Sequence, residues 1–131
     1  MREVPEFALS GWYRDPRDHR CPHDAWLESI AIAEPARGDR SEIRTTEIRL
    51  RLLGAYHDGY IEFNYAGVKK YILSTFDCTG GVGDWIEDNI VVLGGDRICH
   101  TISWSVARAS EQAMWLIEAD DVSYTWIPKN A

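Results

Sequence analysis

The chain has 131 residues and a mass of 15.0 kDa, and its 21 acidic against 14 basic residues leave a formal net charge of -7. A chain of this length forms one domain, residues 1–131, able to remove about two thirds of its unfolded surface from water unaided, so folding needs no cofactor. The acidic balance argues against nucleic acid and anionic membranes as partners and suits a basic protein, while it also serves solubility by itself.

Residues 1–22 carry Pro5, Gly11, Pro16 and Pro22 among mixed charges and read as an irregular arm that packs through Phe7, Leu9, Trp12 and Tyr13. A β core, residues 23–131, follows. Strands are predicted over 25–33, 43–53, 60–65, 68–76, 85–93, 97–105, 113–119 and 122–127, separated by Pro, Gly, Asp and Asn. Asp58-Gly59 supplies the positive φ of a tight hairpin turn, and Ala66-Gly67 reads as a second break between apolar runs. A helix competes over 105–119, where Ala107, Ala109, Ala113, Met114 and Leu116 tolerate one. Trp115, Ile117 and a turn at Asp120-Asp121 favour a hairpin there instead.

Side-chain parity supports strands throughout. Ile48, Leu50 and Leu52 alternate with Glu47, Arg49 and Arg51, and Ile61, Phe63 and Tyr65 alternate with Tyr60, Glu62 and Asn64. Ile98, Ile102 and Trp104 likewise share one face, as do Val122, Tyr124 and Trp126. The fold class expected is all-β, an antiparallel meander of eight strands forming a sandwich or partly open barrel. Most of Trp26, Trp85, Trp104, Trp115 and Trp126 should fill its core, and the wet face bearing Tyr60, Glu62 and Asn64 is the first place to expect a partner.

The chemistry-bearing motifs are short. His-Asp-x-x-x-Glu occurs at His23-Asp24 to Glu28 and at His57-Asp58 to Glu62, and such a pair can ligate a metal or act as a base. Parity sets Glu28 with Ile30 and Ile32 but Glu62 on the wet face, so Asp24 and Asp58 read more simply as turn residues. His19, Cys21 and His23, with Asp24, have alternate spacing that suits zinc, but a second ligand pair is missing. Thr79-Gly80-Gly81-Val82-Gly83-Asp84 lacks the Gly-Lys-Ser/Thr ending of a phosphate loop and reads as a loop between strands. None of Cys21, Cys78 and Cys99 sits in a nucleophile signature; three thiols and no long apolar run suit a cytoplasmic protein.

At His23-Asp24-Ala25-Trp26-Leu27-Glu28-Ser29-Ile30 and again at Trp115 to Tyr124, the chain resembles a loose group of small bacterial β-domains, some classed as immunity proteins of polymorphic toxin systems. The resemblance spans roughly Cys21 to Pro128, leaving out the arm and the glycine loop, and brings no defined site residues. It implies a cytosolic bacterial protein that neutralises a toxin by binding it. The expected function is therefore a non-enzymatic protein-binding domain with a basic partner, through Tyr60, Glu62, Asn64, His57 and Asp58. The alternatives are a small-molecule or metal-binding barrel with hydrolytic activity and a self-associating structural domain.

Overall fold

The computed structural model describes residues 2–105 and 112–129. A short helix α1 (Glu6–Leu9) and a 3-10 turn (Gly11–Arg14) precede eight strands: β1 (Trp26–Ala33), β2 (Ala36–Arg37), β3 (Ile43–Arg44), β4 (Glu47–Leu53), β5 (Gly59–Leu73), β6 (Asp84–Val92), β7 (Ile98–Ser105) and β8 (Gln112–Pro128). Six of them form one antiparallel sheet in the order β1-β4-β5-β8-β7-β6, while β2 and β3 make a separate ribbon. The main sheet is thus two three-strand meanders joined along β5 and β8, with a crossover from β5 to the far edge at β6. Among the described residues, no helix is long and apolar enough to cross a membrane.

The sheet curls until its edge strands β1 and β6 meet through one residue pair, Trp26 opposite Asp84. Two backbone bonds flank that pair, from Asp24 N–H to Trp85 O at 2.7 Å and from Trp85 N–H to Ala25 O at 3.1 Å. The barrel is closed at this seam and partly open beyond it. Inward-facing side chains follow the expected alternation: Ile48, Leu50 and Leu52 on β4 and Ile61, Phe63 and Tyr65 on β5 are buried, with Trp85, Ile102, Trp104, Trp115 and Ile117 across the core.

Four local expectations change, the first at the hairpin turn, where the positive φ falls on His57 at +59° and not on Asp58 or Gly59. Ala66-Gly67 does not end a strand: the chain continues through a bulge between Val68 and Lys70, and β5 runs on to Leu73 beside β8. Asp120-Asp121 is likewise no turn, because Ala66 opposite Asp121 and Val68 opposite Ala119 keep both strands paired through the bend. Residues 112–119 and Ser105 are strand rather than helix, and the part of the predicted helix competitor at 106–111 lies outside the described residues. Finally, a register shift between Leu27 and Ser29 leaves Glu28 unpaired in the ladder and exposed, where uninterrupted parity would have pointed it inward with Ile30.

The arm is more ordered than its composition suggests. Phe7 and Tyr13 pack edge-on at 5.3 Å, Phe7 meets Phe63 of β5 at 5.9 Å, and Trp12 lies 5.0 Å from Tyr124 of β8. Tyr13 is fully buried. Leu9, expected to pack, is instead 68 % exposed. The arm thereby covers aromatic core that the sheet alone leaves open, each ring contributing large apolar area.

Candidate functional site

The seam end of the barrel gathers an outward-facing row across five strands. Asp84 is opposite Trp26, Trp26 opposite Leu53, Leu53 opposite Tyr60 and Tyr60 opposite Ile127. Directly opposed residues of antiparallel strands place their side chains on the same face, about 5 Å apart at Cβ. Trp26 stands out in this row at 49 % exposure. His57, in the positive-φ position of the β4–β5 turn, packs edge-on against the Trp26 ring at 4.7 Å. Tyr56 of the same turn stacks on His19 of the arm at 4.0 Å, and His19 Nδ1–H donates to Asp58.

Beside Trp26 lies a cleft of about 210 Å³ lined by Trp26, Leu27, Gly80, Gly81, Val82, Gly83 and Asp84. Gly80, Gly81 and Gly83 have φ of +90°, +100° and +120°, so the loop requires glycine for its backbone conformation. A Cβ at Gly80 or Gly81 would meet nothing within 4 Å, which leaves bare backbone on the rim of the cleft.

The wet-face residues expected from sequence, Tyr60, Glu62 and Asn64, do share one outer surface, but the Tyr60 ring and the polar groups of Glu62 and Asn64 are engaged by arginines within the sheet. The Arg51 guanidinium lies 4.1 Å from the Tyr60 ring centroid and bridges Glu28 at 3.3 Å and Glu62 at 3.7 Å. The two carboxylates of the repeated His-Asp-x-x-x-Glu pattern therefore meet on one arginine, an outcome of the β1 bulge. Arg49 Nε–H donates to Asn64 Oδ1 at 2.9 Å. Asn64 also lines a larger groove of about 370 Å³ with Ala31, Arg49 and Asp121, whose charged walls are similarly paired, Asp121 with Arg2 and Glu47 with Arg37.

Of the four residues with zinc-like spacing, only His23 and Asp24 approach each other, and His19 and Cys21 bond elsewhere. His19 bonds Asp58, Cys21 Sγ–H donates to Tyr13 O at 3.1 Å, His23 Nδ1–H donates to Ile86 O at 2.9 Å, and Asp24 is exposed with its carboxylate 3.6 Å from His23 Nε2. Among the described residues, no three His, Cys, Asp or Glu side chains are grouped to hold a metal ion. Burial pushes the Cys21 and Cys99 thiols up, which keeps them protonated and poorly nucleophilic.

A second polar centre was not singled out by sequence. His100 is fully buried; its Nδ1 accepts from Tyr65 O–H at 2.7 Å and its Nε2–H donates to Asp88 Oδ2 at 2.7 Å. Asp88 also accepts from Tyr13 O–H at 2.7 Å and pairs with Arg14 at 2.8 Å. Burial pushes both tyrosines well above their usual range, so each is a donor. Burial alone would raise Asp88 too, but the His100 and Tyr13 bonds and the Arg14 charge hold it below the usual carboxylate range. Every one of these groups is consumed by the others, so the centre pins the arm to the barrel. The available signal was parity: His100 shares a face with Ile98, Ile102 and Trp104.

No protein-family model, no curated protein and no solved structure matches this chain. Sequence grouped Trp26 with the core tryptophans; it lies outside because Ala25, fully buried, takes the inward position at the seam.

Proposed function

We propose that the chain is a non-enzymatic protein-binding domain that takes a basic protein on the seam end of its barrel. The observation that carries this reading is the half-exposed Trp26 in an outward row with Leu53, Tyr60 and Ile127, flanked along the chain by Asp24, Asp58 and Asp84. An apolar aromatic anchor with a charged rim is the usual anatomy of an energetic centre in an interface. The charge pattern supports a basic partner: nine lysines and arginines among the described residues are paired to carboxylates within the chain, and the net -7, which counts every lysine and arginine, leaves acidic charge in excess. The resemblance to immunity domains makes a toxin the partner class to seek first, in the cytoplasm of a bacterium.

The test is affinity purification from the native host with the intact chain as bait. A reproducible basic protein is expected, whose association slows with added salt more than its dissociation quickens. Trp26→Ala should weaken capture by about 2 kcal/mol or more. Failure to recover a reproducible protein partner would count against the reading.

A further inference from the structure

Three arginines in this fold sit in one repeated arrangement, a guanidinium against an aromatic ring and a carboxylate together. Arg14 lies 4.8 Å from the Tyr13 ring centroid and bonds Asp88. Arg20 lies 4.5 Å from the Trp12 ring and bonds Asp18 at 2.9 Å. Arg51 lies 4.1 Å from the Tyr60 ring and bridges Glu28 and Glu62. The planar guanidinium suits this arrangement because it stacks on a π face while its edge donates to carboxylate oxygens.

Trp26 and Asp84 form a fourth pairing of ring and carboxylate, opposed across the seam on the outer face. Among the described residues, none of those lining their cleft is a lysine or arginine. We propose that this cleft receives an arginine side chain of the basic partner, stacked on the Trp26 indole and bonded to the Asp84 carboxylate. The inference rests on the protein-binding reading and names its anchor. Volume agrees: about 210 Å³ accommodates a guanidinium with part of its stem. The Gly80–Gly81 rim adds a second element, since backbone without side chains lets the incoming main chain approach closely.

A peptide probe separates the anchor from the wider reading. N-acetyl-Gly-Arg-Gly-amide titrated into the labelled protein should give saturable shifts of the Trp26 indole N–H and the Gly80, Gly81 and Gly83 amides. The counterpart with neutral citrulline should bind about tenfold more weakly. Asp84→Asn and Trp26→Leu should each lose a similar factor with arginine, while Trp26→Tyr, which keeps an aromatic face and guards against a folding artefact, should retain most of the binding. Equal binding of the arginine and citrulline peptides, or shifts unchanged in Asp84→Asn, would overturn the proposal. So would a partner from the host that binds Asp84→Asn and Trp26→Leu as tightly as wild type, although the protein-binding reading would then survive. Arginine-specific shifts with no recoverable host partner would support the cleft as an arginine site and count against the wider reading.

Discussion

The buried centre of Tyr65, His100, Asp88 and Tyr13 shows how individual residues fix the arm on the barrel. Each hydrogen bond in it has a donor and an acceptor without surplus, so removing one atom leaves another unsatisfied in a dry site. Tyr65→Phe leaves His100 Nδ1 without its donor and should cost about 1–3 kcal/mol, read as a lowered urea midpoint with an unchanged slope. Asp88 adds a pH dependence whose sign follows from its lowered folded-state pKa. It contributes stability in full above the unfolded aspartate value of about 4, and that contribution disappears as pH falls through the lower folded value. Asp88→Asn should therefore be less stable than wild type at neutral pH and lose less on acidification. Parallel acid titration curves for the two proteins would contradict this.

At the scale of elements, β5 and β8 decide the architecture because each runs through a point where sequence suggests a stop. Gly67 has φ +61°, and a Cβ there would collide with the Asp120 carboxylate. Gly67→Ala should cost about 1 kcal/mol or more, and adding Asp120→Ala should recover the steric part while leaving the backbone part. A Gly67→Ala protein with wild-type thermal stability would show that the bend tolerates a side chain. The pair explains what sequence could convey. Alternation along β4, β5 and β7 was legible because burial acts on every second residue, and the all-β class follows from it. A positive-φ glycine, however, marks a turn and a bulge equally, and only the opposite strand, far away in sequence, decides between them. The same limit hid Glu28, whose direction depends on a bulge, and Trp26, whose direction depends on the seam. Past Val68, whose N–H still donates to Thr46 O at 2.8 Å, β5 pairs among the described residues with β8 alone, and Lys69 and Lys70 on that stretch guard the free edge against a second chain.

For the molecule as a whole, the proposed binding divides between steering by acidic charge and discrimination by a small surface. On that proposal the net -7 raises the encounter rate with a cation-rich protein, and the row from Asp84 to Ile127 would set which encounter lasts. That row straddles the narrowest closure in the barrel, one residue pair with two flanking backbone bonds. Few bonds there make the seam the part of the sheet that breathes most readily, so the Asp24 and Trp85 amide protons should exchange with deuterated solvent sooner than those of β4. A partner seated on Trp26 and Asp84 together clasps both lips of this opening. Its occupancy should slow exchange at those two amides far more than at any other strand position, so recognition would be recorded as a loss of breathing in the barrel wall itself.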